Sequence, residues 1–243
     1  LLMVLMIFTF PLHGQSIKIE TINVAPFGFI GSDGKPTGMM FEISNKIAEE
    51  AGFEYTNKIV PYARTIVHLT TGKSDFVLRF SNSKLPAVAV PLVSIIAMQN
   101  ILLFNTSNPF KDLESLSGKS VGVVRGGKFD VNFDNNTAIN KVNVNNYSQM
   151  LQMLTNKRLD GIIGSNVGLY YNAKKLGITQ DEFSPPLLLN SKDFVLHFSK
   201  KNSDIEIMNR LKASVEKLKK TGEFKKIVNK YMGNFKWEIS TDE

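Results

Sequence analysis

Apolar and polar residues alternate with period two over residues 17–24 (Ile-Lys-Ile-Glu-Thr-Ile-Asn-Val), the pattern of a half-buried strand. A loop rich in Gly and Pro follows over residues 25–38. It leads into residues 39–51, where Ile43, Ile47 and Ala51 recur four apart and Gly52 ends the helix that this spacing predicts. Further along, the pattern predicts a strand over 55–60, a helix over 63–69 and a strand over 76–80. It restarts at 101–104, with a short helix about Leu113, a strand over 120–124, a Gly-containing turn at 125–128 and a helix beginning at Phe129. A strand over 141–144, a helix over 147–154, a strand over 161–164 and a helix over 167–176 follow, then apolar runs at 187–189 and 194–198. From Ile205 to Met232 the periodicity is helical only, through Ile207, Leu211, Val215 and Leu218 and then Phe224, Ile227, Val228 and Tyr231.

Two stretches share one plan. Leu-Thr-Thr-Gly-Lys-Ser-Asp (69–75) precedes Phe-Val-Leu, and Leu-Thr-Asn-Lys-Arg-Leu-Asp (154–160) precedes Gly-Ile-Ile. Each reads as the end of a helix, a tight turn, and an Asp opening a buried strand. Copies 85 positions apart are too distant for a solenoid or propeller and suit two similar α/β lobes. The alternation of strands and helices predicts mostly parallel sheets flanked by helices, with a ligand cleft between the lobes. The terminal helical pair is expected to return to the first lobe, so the backbone crosses twice, near 101–106 and 193–199. That gives lobe 1 as residues 15–102 with 198–243, and an inserted lobe 2 as 103–197.

A chain of 243 residues with 43% hydrophobic content can fill such cores. Residues 1–10 are an almost unbroken apolar run ended by Pro11, too short to span a bilayer. It resembles the apolar core of a secretory signal peptide without its initiator Met and basic leader, with cleavage near Gly14, so residues 1–14 are set apart as a signal remnant. A buried first strand is the other reading. Leu12 is larger than the small residue usual three positions before a cleavage site. The chain has no Cys, which excludes disulfides, thiolate metal sites, a Cys nucleophile and a lipid-modified N-terminal Cys. No later segment has the length and apolarity of a membrane span. The net charge of +7 is spread along helix faces as Lys, without a basic block or a basic stripe interleaved with aromatics, so no nucleic-acid partner is expected.

The order of motifs resembles the periplasmic type II solute-binding proteins of bacterial uptake systems, specifically extracellular solute-binding family 3, which includes polar amino-acid receptors. The matching pieces are PFGF-x-x-x-DGKPTG with a helix ending IAEEAGF, LTTGKSDFVL, LESLSGKSVGVVRGG, LTNKRLDGIIGS and TGEFKKIVNKYMG, and the resemblance extends over residues 17–233. The resemblance implies the two-lobed type II periplasmic binding protein fold, a periplasmic location, hinge closure over a small-molecule ligand and delivery to the membrane permease of an ABC importer. It implies a monomer without cofactor.

Carried over residue by residue, the family's amino-acid site is incomplete here. The loop after the GKSD strand, which in the family offers small hydroxyl residues and then an Arg for the ligand carboxylate, holds Arg79, Phe80 and Asn82, with Ala87 at the Arg position. In the second lobe the Gly-Ser/Thr-Thr turn is replaced by Gly126, Gly127 and Lys128, and the Asp that meets the ligand ammonium is replaced by Ser165. A zwitterionic α-amino acid is therefore not the expected ligand. Cationic and aromatic residues stand there instead. The chain has five Arg against 24 Lys, and Arg64, Arg79 and Arg125 fall at element ends facing the expected cleft. Their planar forks suit a carboxylate or phosphate; the other reading makes Arg64 and Arg79 partners of acidic residues in their own lobe. The turn Arg125-Gly126-Gly127-Lys128 offers a backbone nest for an anion, but a Gly pair in such a turn is common and the run is no P-loop. Phe27, Phe29, Tyr62 and Phe80 are candidate pocket walls. Phe27 and Tyr62 are favoured because they follow the C-terminal ends of strands.

Two other function classes fit the resemblance. One is a sensor input protein for a membrane kinase. The other is a dehydratase-like enzyme on cyclic carboxylates, for which His68 and His197 are the available acid–base groups, neither beside an evident carboxylate motif. Glu42, where the family has an acid, reads as capping or packing. The favoured expectation is a non-catalytic binding protein for a small, polar, anionic ligand.

Overall fold

A computed structural model describes residues 16–236 apart from 108 and 126. The signal-like segment 1–14 and Gly126 lie outside the described residues. Strand β1 (Ser16–Ile22) is parallel to β4 (Glu54–Val60) and β5 (Phe76–Phe80) on either side. The first loop folds out as a small ribbon of β2 (Phe29–Ile30) and β3 (Pro36–Thr37). Helices α1 (Met39–Glu50) and α2 (Tyr62–Thr71) are the crossovers. A one-turn helix, α3 (Leu85–Val88), leads into the 16-residue strand β6 (Ala89–Phe104).

The second group of parallel strands contains β7 (Ser120–Val124), β8 (Asn140–Val144) and β9 (Gly161–Ser165). Helices α4 (Val131–Asn135), α5 (Tyr147–Thr155) and α6 (Asn166–Lys175) punctuate this group. The chain returns through β10 (Leu187–Ser199) and ends its described part with α7 (Ile205–Lys220) and α8 (Glu223–Met232). All eight long strands join in one sheet of order β4-β1-β5-β10-β6-β9-β7-β8. This is the mostly parallel α/β arrangement of the type II fold.

The apolar runs at 187–189 and 194–198 are one strand. The break read near residue 101 does not occur, because residues 89–104 form a single strand whose apolar residues lack the alternation that would mark it. The two long strands are antiparallel neighbours along almost their whole length. Their ladder shifts where His197 faces Pro91, a residue with no N–H to give.

Three apolar cores support this sheet. The largest places Ile43 and Ile47 of α1 and Leu211 and Val215 of α7 on the face carrying Ile19, Phe76, Leu78 and Phe194. On the opposite face of the first group, Ile22, Val77, Leu69, Leu85 and Ala89 form a smaller cluster under α2 and α3. Leu102, Phe104, Val121, Phe133 and Ile163 fill the second group.

Helix α8 is tied to the start of α1 through Tyr231. Its hydroxyl donates to Glu42 Oε1 at 2.5 Å and accepts from the Gly38 amide at 3.0 Å. Glu42 also takes Lys230 Nζ at 2.6 Å, so its acid is a packing partner. Gly38 needs its φ of 131° and its bare Cα, since a Cβ would stand 2.5 Å from the Phe27 carbonyl oxygen. Beyond α8 the chain passes to the second group, where the Phe235 ring stacks on Tyr170 at 4.7 Å and the Lys236 amide donates to Gln180 Oε1 at 2.8 Å.

The repeated phrase has a structural reason. Asp75 Oδ2 accepts from the Lys18 amide at 2.6 Å, while the Asp75 amide donates to the Lys18 carbonyl at 2.7 Å. In the second group Asp160 Oδ2 accepts from the Ser120 amide at 2.8 Å, and its own amide donates to the Ser120 carbonyl at 2.8 Å. Each Asp thus ends the ladder of the neighbouring parallel strand by satisfying its first donor and acceptor. Asp75 also takes Asn202 Nδ2 at 2.5 Å, which fastens the turn before α7 to the same corner. Replacing Asp75 by Ala leaves these donors without an acceptor, and urea denaturation should show a loss of about 1–3 kcal/mol.

Candidate ligand cleft

The strand register places the cleft. Phe80, at the C-terminal end of β5, pairs with Phe194, which pairs with Ile96 of β6. Ser165, at the C-terminal end of β9, pairs with Asn100 of the same strand. The C-terminal ends of the two groups therefore point toward one another over the four-residue step from Ile96 to Asn100, about 13 Å of strand. Loops following strands β1, β4 and β5 enter from one side, and those following β7, β8 and β9 from the other. This is where open α/β sheets hold ligands.

On the first side the floor is aromatic. Phe194, 2% exposed, lies 4.2 Å from Phe80 edge-on and 5.0 Å from Phe27. Phe27 is held by the start of α1, whose Met40 amide donates to the Phe27 carbonyl at 2.8 Å. Phe29 turns away from this floor toward Tyr171 and Tyr231, at 6.1 and 6.5 Å. Tyr62, the first residue of α2, is 45% exposed, and Arg64 is exposed beside it. Asn82 is half-buried, with Oδ1 engaged by the Lys84 and Leu85 amides at 3.0 and 3.2 Å.

Arg79 is placed differently from its neighbours. Its side chain lies on the α2 face of the sheet and is fully buried. Nη1 donates to Thr65 Oγ1 at 2.5 Å, and the Tyr62 ring centroid lies 4.2 Å from the guanidinium carbon. Nε and Nη2 have no partner, and among the described residues no carboxylate pairs with this cation. His197 is buried in the same layer, with Nε2 at 3.3 Å from Ser81 Oγ and Nδ1 without a partner. Burial, and then the Arg79 charge, push its pKa down to about 4. A side cavity of about 200 Å³ reaches His197 between Ser81, Leu85, Pro86 and Lys200. His68 does meet a carboxylate, Glu20 of β1, a pairing across 48 positions that no local motif announces.

On the second side, Arg125 and Lys128 are exposed and Gly127 is half-buried. The turn that carries them is anchored to the two long strands. Asn100 Nδ2 and Asn190 Nδ2 both donate to the Phe129 carbonyl, at 2.9 and 2.8 Å, and Asn190 also donates to Asp130 Oδ2 at 3.0 Å. Burial raises the Asp130 pKa, but the Phe133 and Asn132 amides, Asn190 and the Lys192 charge outweigh it and hold the carboxyl below its usual range. Ser165 Oγ accepts from the Gly168 amide at 3.1 Å and so caps α6. Phe194, Thr65, Asn100 and Asn190 were not singled out by sequence. The two Asn residues, polar and set within long apolar strands, were the available signal.

Among the described residues, no group of His, Asp and Glu could hold a metal ion, and no helix is long and apolar enough to cross a membrane. The sequence model of bacterial extracellular solute-binding proteins, family 3, matches residues 17–234. No curated relative matches the sequence. Among solved structures, the fold is similar to the L-cystine solute receptor of Neisseria gonorrhoeae in its unliganded open conformation. That match has 17% identity and a TM-score of 0.76, over 94% of this chain and 97% of that one. Substrate-binding domain 2 of Lactococcus lactis GlnP, also open, matches with 17% identity and a TM-score of 0.73, over 92% and 97%. A polar amino acid ABC uptake transporter substrate-binding protein from Streptococcus thermophilus matches with 20% identity and a TM-score of 0.73, over 90% and 86%.

His197 provides a check on the buried layer. Its folded pKa lies below the unfolded value, so the unfolded chain binds the extra proton first and stability falls as pH drops from about 6.5 toward 4. In an NMR titration the His197 ring should remain neutral at pH 5.5. His197→Gln should flatten the decline in melting temperature across that window.

Proposed function

We propose that this chain, which belongs to the bacterial extracellular solute-binding proteins, family 3, captures a small polar ligand bearing an anionic group and passes it to the permease of an ABC importer. The observation that carries the anionic character is Arg79: a guanidinium at the cleft end of β5, out of water, with two open nitrogens and, among the described residues, no carboxylate paired with it. A cation in that state is costly to keep, and an anion brought by the ligand offsets the cost. The exposed Arg64, Arg125 and Lys128 add positive potential at the rim. Phe27, Tyr62 and Phe80 offer apolar surface for the rest of the ligand, while Asn82 and Ser165 border it. The family consists of binding proteins, and catalysis is not part of this reading.

The lobes of this reading are residues 15–102 with 198–243, and 103–197, hinged at the crossings near 101–106 and 193–199. Export to the periplasm and action as a monomer belong to the same proposal. The neighbours' names mention L-cystine and polar amino acids. A ligand screen by thermal shift therefore combines amino acids, acidic ones first, with organic acids and phosphate esters. A ligand at a hundred times its dissociation constant adds about 2.7 kcal/mol of stability.

With a ligand from that screen, Arg79→Met should weaken binding by about 2–5 kcal/mol, and Arg79→Lys should recover only part of it. Because the Met variant removes an uncompensated buried charge at similar volume, its unliganded form should melt no earlier than the wild type. Normal binding together with earlier melting would make Arg79 a structural residue and remove the case for an anion. Small-angle scattering should show a smaller radius of gyration at ligand saturation, as rigid lobes rotate together. An unchanged radius would count against hinge closure.

A further inference from the structure

Helix α2 begins without a cap. Pro61 occupies the N-cap position, and no side chain accepts from the first-turn amides. A ten-residue helix thus presents the free N–H groups of Tyr62 and Ala63 at its positive end. Arg79 approaches that same turn from the sheet. Its Nη1 donates to Thr65 Oγ1, which donates in turn to the Tyr62 carbonyl at 2.9 Å. A buried guanidinium with Nε and Nη2 open therefore lies beside a second positive feature, the solvent-exposed N-terminus of α2. Coulomb repulsion opposes such an arrangement unless a negative group joins it.

Among the described residues no carboxylate pairs with Arg79. Glu20, buried on the neighbouring strand, has Oε1 engaged by His68 one turn further along α2 and Oε2 without a partner. What lies over the guanidinium is the Tyr62 ring, at 4.2 Å. Tyr62 is 45% exposed, among the described residues its hydroxyl makes no hydrogen bond, and its ring lies on the cation.

We propose that the N-terminus of α2 and the Nε–Nη2 edge of Arg79 form an oxyanion subsite covered by the Tyr62 ring, which swings aside to admit a carboxylate or phosphate group. The subsite rests on the anionic-ligand reading above and adds to it a place and a cover. Tyr62 is a stand-in partner in the unliganded molecule, and the arriving oxyanion exchanges a π face for two forked hydrogen bonds. The exchange also biases the cleft against cationic ligands, because the charge behind Tyr62 repels them.

Arginine-selective labelling with phenylglyoxal, read by mass spectrometry, tests this without a known ligand. In the wild type Arg79 should react at least tenfold more slowly than the exposed Arg64 and Arg125. Tyr62→Ala should raise its rate at least tenfold, with the melting temperature and circular dichroism retained, and Tyr62→Phe should not. In Tyr62→Ala, oxalate or inorganic phosphate should slow the labelling again, and the more protective of the two names the chemical class. If Arg79 stays slow in a folded Tyr62→Ala, and equally slow in Tyr62→Ser, the ring is not the cover. If Arg79 becomes reactive but neither anion protects it, there is no oxyanion subsite and Glu20 remains the available counter-charge. Both outcomes are separate from the failure of the anionic-ligand reading, which would appear as normal ligand binding by Arg79→Met.

Discussion

The antiparallel pairing of β6 with β10 fixes nearly everything else in the molecule. Along most of its length each residue of one strand is held opposite a residue of the other, so the outer strands have no freedom to choose their level. The first group attaches where β10 runs from Phe194 to Phe198, and the second where β6 runs from Asn100 to Phe104. Because β5 runs with β6 and β9 runs against it, the C-terminal ends of both groups are directed at the same short stretch. A register slip of two residues in the central pair would move the two rims apart or drive them together, and a slip of one would turn the buried side chains outward. The position of the site is thus a property of backbone pairing. Its chemistry belongs to the side chains at the rims.

The two faces of the first strand group are built on different principles. The α1 face is apolar and closely filled, with Ile19, Phe76, Leu78 and Phe194 meeting Ile43 and Ile47. On the α2 face, Glu20, His68, Arg79 and His197 share a layer with the apolar residues Val77 and Leu69. Ion-bearing groups in that layer meet single partners, and several of their polar atoms meet none. Such a layer costs stability that an apolar one would supply. Its position immediately behind the cleft wall is where a field acting on a ligand is least screened by water.

Much of the fold was legible because its signals are local. Period-two and period-3.6 patterns, Gly after helix ends and Asp before strands are read over a few residues, and strands β5 and β7 and the tail helices follow them. The central pair was harder. Residues 89–104 contain Pro91 and Pro86 stands close before them, so the run reads as broken, yet the ladder accommodates Pro91 opposite the shift at His197. The site divided in the same way. The loop positions of Phe27 and Tyr62 after strands follow from local pattern. The face to which Arg79 turns depends on the parity of β5 relative to β10, and the meeting of Glu20 with His68 depends on strand order. Both are facts about distant chain segments that composition and spacing do not contain.

The paired carboxylates Asp75 and Asp160 have a consequence beyond holding strands together. Each stands at the end of its sheet remote from the cleft, so the fastening of the fold and the recognition of the ligand occupy opposite poles of the same strands. Changes at one pole leave the other's hydrogen bonds untouched. A lineage built on this plan can exchange the residues at its rims while the hydrogen bonds at the far pole are retained.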